Sequence, residues 1–305
     1  MNQTSRDMRH IVSVSGGKDS VATALHLREL GVEYEMVFMD TGWEHPSLYE
    51  HLDYLEGVLG PIKRIRAEMP EIPADTIADV EAIEALVGVS PSAFVRWAVK
   101  KGMFPSRVRR YCTQELKVKP FLRYVDELDE DIVNVVGIRA EESASRACLP
   151  ERELMPGAEH IEVWRPLINW TEAQVIEIHH RYNVMPCPLY LSGSKRVGCW
   201  PCIQSNKGEL AELAKDAQRV MAIELLEALI ARMAYARAEA KGKTLKAAPT
   251  LFQSPLRGSD NPTWPIREIL DWSQTQHGGR QMMLVSDWGR EAGCVRWGMC
   301  EGVQR

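Results

Sequence analysis

The 305 residues contain no apolar run long enough to cross a bilayer, and Met1 to Asp7 is polar, without the hydrophobic stretch of a signal peptide. A cytoplasmic protein with no membrane partner is expected. Charge of one sign is also scarce. The net value of −5 argues against a bulk electrostatic nucleic-acid binder, though a local basic patch would not register in that sum. Two common nucleotide fingerprints are missing as well: neither the Walker pattern G-x-x-x-x-G-K-[ST] nor the dinucleotide pattern G-x-G-x-x-G is present. With 45% apolar and 26% charged residues, the chain can bury one full α/β core and an appended smaller unit. Its seven cysteines, in a cytosolic setting, suit metal binding or catalysis better than disulfides.

The most informative segment is Ser15-Gly16-Gly17-Lys18-Asp19-Ser20. The branched apolar run Ile11 to Val14 before it predicts a buried strand, and Val21 to Leu30 after it predicts a helix stopped by Gly31. Two adjacent glycines remove the Cβ atoms that keep a backbone away from an anion, while successive N–H groups and a helix N-terminus point at it. Lys18 adds a point charge, and Ser15 and Ser20 add hydroxyls. Asp19 reads either as a carboxylate for Mg²⁺ or orientation, or as a plain helix N-cap.

Further on, Glu35 to Met39, Ile62 to Ile65, Asp131 to Val136 and Ile161 to Trp164 read as strands, the last at an edge. Their alternation with helical patterns predicts an α/β fold with a doubly wound, mostly parallel sheet. Ligands of such sheets sit at the carboxyl ends of strands, where the glycine loop, Asp40-Thr41-Gly42 and Gly137-Ile138-Arg139 converge. Residues 1–205 are expected to form this nucleotide-binding domain, with a helical insertion at about 68–129 entered through Pro70, Pro73 and Pro91. Residues 206–305 are expected to form a helical C-terminal region. There Leu210 to Ala240 is one long helix or two consecutive ones, followed by an irregular tail without repeats or low-complexity tracts. The basic cluster Lys100, Lys101, Arg107, Arg109, Arg110, Lys117 and Lys119 is either a solvated helix face or an anion-facing patch.

Cys199-Trp200-Pro201-Cys202 is a C-x-x-C in a turn context, Cys294 and Cys300 form a second pair, and Cys112 stands beside the basic cluster. Such a set suits a redox dithiol, a zinc site or an iron–sulfur site. A thioredoxin-type dithiol would come early, at a helix start, and this one comes late. Cys148 and Cys187 read as ordinary thiols.

The order SGGKDS at 15–20, DTG at 40–42, Cys112-Thr113, Gly137 to Ser143 with Arg146, Arg165-Pro166-Leu167 and Cys199 to Cys202 resembles the phosphoadenosine-phosphosulfate reductase family. The resemblance covers roughly residues 10–205 and implies the adenine nucleotide alpha hydrolase-like fold. Its SGGxDS loop is similar to those of ATP pyrophosphatases and tRNA or DNA thiolation enzymes. The chain departs from genuine sulfonucleotide reductases, which carry a variant loop, a C-terminal Glu-Cys-Gly-Leu-His nucleophile motif and, in the iron–sulfur type, adjacent cysteines where Cys112-Thr113 stands. The full loop implies intact ATP as nucleotide.

On that resemblance the bound groups are ATP, Mg²⁺ and a [4Fe–4S] cluster, or structural zinc. Lys18, Asp19, Cys112 and Arg139 carry catalysis; Ser15 to Ser20, Asp40, Thr41, Gly137 and Arg139 hold the nucleotide. Cys112, Cys199, Cys202 and Cys300, with Cys294 as the alternative, hold the metal. By spacing alone, Cys199, Cys202, Cys294 and Cys300 would serve equally as a closed four-thiolate site. The expected activity is adenylation of an acceptor by ATP coupled to sulfur transfer, with a donor such as a cysteine desulfurase. The acceptor is open, nucleic acid included, and a homodimer is compatible. The rivals are reduction of an adenylyl sulfate to sulfite and a non-catalytic nucleotide-binding subunit of a modification or defence complex.

Overall fold

A computed structural model describes residues 8–253, 263–276 and 296–297. The chain runs β1 (Arg9–Ser13), α1 (Lys18–Glu29), β2 (Glu35–Asp40), α2 (Pro46–Leu59), β3 (Ile62–Arg66), α3 (Ile77–Val87) and α4 (Ala93–Lys101). A continuous helical stretch follows: α5 (Tyr111–Thr113), a π-helical turn over Gln114–Val118, and α6 (Lys119–Leu128). Then come β4 (Ile132–Val136), α7 (Ala144–Ala147), β5 (Arg152–Met155), β6 (Ala158–Trp164), α8 (Glu172–Arg181), α9 (Pro188–Leu191), α10 (Lys207–Leu213), α11 (Ala217–Glu239), β7 (Phe252–Gln253), β8 (Thr263–Trp264) and α12 (Ile266–Ser273).

Six strands form one sheet in the order β3-β2-β1-β4-β6-β5, parallel throughout except for the antiparallel β5. In β1, Ile11 and Val12 point to opposite faces and both are fully buried. Ile11 meets Val37, Phe121 and Val125 on the α6 side, while Val12 meets Leu25, Leu52 and Val175 beneath α1, α2 and α8. A sheet covered on both faces explains why its central strand reads as an unbroken apolar run. Ile161 to Trp164 is not at the edge: β5, whose alternately exposed residues gave no strand signal, pairs outside it. The strand order reverses at β1, with β2 on one side and β4 on the other, so a crevice opens at their carboxyl ends.

Between β3 and β4 the chain is helical, and Leu210 to Ala240 is two helices. Asp216 ends the gap between them by accepting from the Arg219 N–H at 2.9 Å as N-cap of α11. The strands β7 and β8 and the helix α12 in the tail were not foreseen. Helices α10, α11 and α12 share one apolar core with α3 and α4, built on Trp43, Ile83, Phe94, Leu226 and Ile230. The boundary expected at 205 therefore does not separate two cores. Among the described residues no helix is long and apolar enough to cross a membrane.

One buried carboxylate pins the insertion to the sheet. Glu84, fully buried, accepts from Ser90 Oγ (2.9 Å), Ser92 N (2.9 Å) and Arg96 Nε (2.7 Å). Ser92 in turn donates to the Gly42 carbonyl at 2.7 Å and caps α4. Burial pushes the Glu84 carboxyl up, but Arg96 and the hydrogen bonds outweigh it, leaving its pKa below the ordinary 4.5. Glu84→Ala should cost about 3 kcal/mol in urea unfolding at neutral pH, because Arg96 and the Ser92 N–H lose their acceptor. A group depressed on folding stabilises above its unfolded pKa and stops doing so as pH falls through its folded one, so the gap between parent and variant should close under acid. A gap that does not change between neutral and acid pH would show that the carboxylate charge is not what holds this joint.

Candidate active site

The loop after β1 is shaped by its own last residue. Ser20 Oγ donates to the Gly17 carbonyl at 2.8 Å and accepts from the Ser15 N–H at 3.1 Å, so this hydroxyl braces the loop rather than standing free. Gly16 has φ +69°, and a Cβ there would lie 2.3 Å from Leu48 Cδ1, which only glycine avoids. Gly137 makes the other close approach: a Cβ would sit 2.6 Å from the Asp19 carbonyl oxygen. The β4 loop thus lies directly on the first turn of α1. That helix has Gly17 as N-cap and no capping side chain, so Asp19 is inside the helix and not its cap.

The charges around this turn form a chain. Lys18 is 6% exposed, with Nζ 3.3 Å from Asp19 Oδ2 and 3.3 Å from Glu172 Oε1. Arg139, also buried, bonds the other Asp19 oxygen and Glu141. Arg296, from the tail, holds Glu172 from the far side, with Nε 3.0 Å from Oε2. Its neighbour Trp297 is fully buried between His179 and Tyr190, and the Tyr190 hydroxyl accepts from the Lys18 N–H at 3.1 Å. Burial lowers the Lys18 pKa; Asp19 opposes this, and Arg296 and Arg139 reinforce it. Beside the loop lies a polar cavity of about 150 Å³, lined by Lys18, Arg146, Lys195 and Arg196 among others. Arg146 pairs with Glu142, whereas Lys195 and Arg196 have no carboxylate partner among the described residues. Such a cavity suits phosphate oxygens.

The six loop residues, Gly137 and Arg139 therefore come together at one place. Asp40 and Thr41 differ, because their side chains turn inward. Asp40 accepts from Gly42 N (2.9 Å), Tyr49 Oη (2.8 Å) and Arg66 Nε (2.7 Å), and is 2% exposed. Thr41 Oγ1 donates to Glu44 at 2.6 Å, leaving neither side chain free for a nucleotide.

The thiols gather on the other side of that turn. Thr41 Oγ1 is 3.9 Å from Cys199 Sγ, and Glu44 bridges to Cys199 through the backbone. Burial pushes the Cys199 thiol up to about 12, against the pull of Lys117. Cys112 is also raised, by burial and by its neighbour Cys202. Burial works against the Lys117 ammonium, but Cys199, Glu44, Cys202 and Cys112 outweigh it and raise its pKa. Cys112 thus joins the C-x-x-C pair. Among the described residues, however, no three Cys, His, Asp or Glu side chains close into a metal-holding set, and Cys294 and Cys300 lie outside those residues. Cys187 is buried and Cys148 exposed, both without such company.

The basic cluster divides three ways. Lys101 and Lys119 pair with Glu115, at 3.0 and 2.6 Å. Lys117 serves the thiols, and Lys100, Arg107, Arg109 and Arg110 stand exposed. Sequence reasoning missed Glu172, Tyr190, Lys195, Arg196, Arg296 and Trp297. Only the adjacent cations Lys195-Arg196, just before the C-x-x-C, offered a signal.

Residues 9–205 match the phosphoadenosine phosphosulfate reductase domain. An uncharacterized 37.8 kDa protein of Escherichia phage 186 is 33% identical over 96% of each chain. Adenosine 5'-phosphosulfate reductase of Allochromatium vinosum is 29% identical over 67% of this chain and 72% of its own. A solved phosphoadenylyl-sulfate reductase from Candida auris aligns at TM-score 0.45 with 18% identity, over 65% of this chain and 84% of its own. By the match across its whole six-stranded sheet, this chain belongs to the phosphoadenosine phosphosulfate reductase domain family.

Proposed function

We propose that the protein binds ATP with its β and γ phosphates on the loop Ser15 to Ser20 and uses it to adenylate an acceptor that then receives sulfur. The observation behind this reading is the cation-lined cavity at an uncapped helix N-terminus, where Lys18 is joined by Arg146, Lys195 and Arg196. Lys18, Arg146, Lys195 and Arg196 match the charge of a leaving pyrophosphate, and the full loop Ser15 to Ser20 favours ATP over an adenylyl sulfate.

In this reaction an acceptor oxygen attacks the α phosphorus, the bond to the bridging oxygen breaks, and pyrophosphate leaves with the electron pair. Hydrosulfide, freed from the persulfide of a donor such as a cysteine desulfurase by a dithiol that is oxidised to its disulfide, then attacks the acceptor carbon. AMP departs with the former acceptor oxygen. Lys18 neutralises the departing charge, and Asp19, held by Lys18 and Arg139, fixes both cations in place. Asp19, whose oxygens face Lys18 and Arg139, is the carboxylate that would hold a Mg²⁺, which would supply further neutralisation of the pyrophosphate charge. Cys112, Cys199 and Cys202, with Cys300 or Cys294 as fourth ligand, are the donors we assign to a [4Fe–4S] cluster. As placed, the three thiols do not form a closed set, and the steps above are carried by the cations alone.

The family relationship to adenosine 5'-phosphosulfate reductases supports the second reading, reduction of an adenylyl sulfate. Product analysis separates the two. AMP and pyrophosphate from ATP are expected, with Lys18→Ala lowering turnover about a hundredfold and ATP affinity much less. Sulfite from adenosine 5'-phosphosulfate, with no pyrophosphate from ATP under any acceptor tried, would establish the reductase instead.

Glu172 gives a sharper test, because it pairs with Lys18, one of the cations that line the phosphate cavity. Glu172→Gln should tighten ATP binding about fivefold by calorimetry, the worth of roughly 1 kcal/mol of released ion pairing. Weaker binding would mean that Glu172 positions Lys18 rather than competing for it.

The metal assignment is read from iron and zinc content and the visible spectrum of anaerobically purified protein. Cys112→Ala should abolish iron absorption. If Cys112→Ala keeps full metal while Cys294→Ala and Cys300→Ala each lose it, the centre is a closed four-thiolate clip.

A further inference from the structure

Away from the phosphate loop, a cavity of about 350 Å³ opens between the insertion and the C-terminal helices. Aromatic rings wall it. The β7–β8 pairing sets Phe252 opposite Trp264, and Trp264 leans on Trp272 at a centroid distance of 5.1 Å and 58°. Ser205 and Gln253 add hydrogen-bonding groups to the wall, and Arg107 stands at its rim. Arg107 opens the exposed run Arg107-Val108-Arg109-Arg110, in which Val108 is 93% exposed. None of these three guanidiniums has a carboxylate partner among the described residues; Arg110 only donates to the Arg107 carbonyl at 3.3 Å.

Flat aromatic walls with hydrogen-bonding groups suit a planar heterocycle, and unpaired arginines beside them suit a phosphodiester. An apolar ligand would leave the arginines without a role, and a bare anion would leave the rings without one. We propose that the cavity takes a base of a single-stranded polynucleotide whose backbone runs along Arg107 to Arg110, and that this strand is the sulfur acceptor. The chain itself joins the cavity to the thiols: Arg110 leads into Tyr111-Cys112, and the lining residue Ile203 follows Cys202. The acceptor role rests on the ATP reading above, whereas the binding requires no ATP. A net charge of −5 does not oppose it, since the contact is local.

Fluorescence anisotropy of the full chain with a labelled strand of about twelve nucleotides, as RNA and as DNA and without ATP, tests the proposal. Binding should weaken with salt. The triple change Arg107→Ala, Arg109→Ala, Arg110→Ala should reduce the log–log salt slope by about 2, since each single-strand phosphate contact contributes roughly 0.7. Trp264→Ala should weaken binding roughly five- to a hundredfold, and Trp264→Phe should restore most of it. The RNA and DNA arms name the strand. ATP titration of the same variants reads the phosphate loop separately: unchanged ATP affinity shows that the fold and that reading stand. An unchanged salt slope in the triple variant, unchanged affinity in Trp264→Ala, or AMP binding as tightly as the strand overturns the proposal. Absence of ATP binding by the parent overturns the earlier reading alone.

Discussion

The buried ammonium of Lys18 is the charge around which the site is organised. An ammonium out of water favours losing its proton, and only nearby anions keep it charged. Asp19 and Glu172 supply them, and each carboxylate needs a second cation of its own, found in Arg139 and Arg296. The chain of alternating charges therefore reaches from the β4 loop through α1 and α8 to the tail. Its geometry depends on Gly137, because any Cβ there would push the Arg139 loop away from Asp19.

This explains which parts of the site were legible beforehand. Gly16, Gly17 and Lys18 belong to a local strand–loop–helix unit whose purpose follows from neighbouring residues. Cys199 and Cys202 could be grouped by their C-x-x-C spacing, and Cys112 joined them only through the family resemblance. Glu172, Tyr190 and Trp297 gave no such signal. They act at distances of over 100 residues along the chain, and a lone Glu at a helix start or a lone Trp in a tail looks like any other. The same limit applies to the fold. Helices with apolar stripes and branched strands were readable, while β5 and the two-residue strands β7 and β8 are held by pairing partners rather than by their own pattern.

The inward turn of the Asp40 and Thr41 side chains was illegible for a related reason. Carboxylates and hydroxyls at the end of a parallel strand usually face the ligand. Here Arg66 from the neighbouring strand and Tyr49 from α2 capture Asp40, and Glu44 captures Thr41. The residues still matter, as builders of the turn. Tyr49 donates both to Asp40 and to Glu44, so the two carboxylates are held through one hydroxyl.

That turn is also where the two halves of the chemistry meet. Glu44 is wholly buried; burial pushes its carboxyl up, while Lys117, the Thr41 hydroxyl and the Trp43 N–H pull it down. Lys117 at the same time faces Cys112, Cys199 and Cys202. Behind it, Arg219 from α11 lies over the Trp43 ring at 4.8 Å and donates to the Glu44 carbonyl at 3.2 Å. The C-terminal helices thus hold the turn whose Glu44 shares the Lys117 ammonium with the thiols. Because α2 begins two residues beyond Glu44 and presents Leu48 to Gly16, the same turn also sets the wall of the phosphate loop. A closely packed turn transmits displacement rather than absorbing it. A change in charge among the thiols therefore has a short covalent and packed route, from Glu44 through Leu48, to the residues that would grip the phosphates.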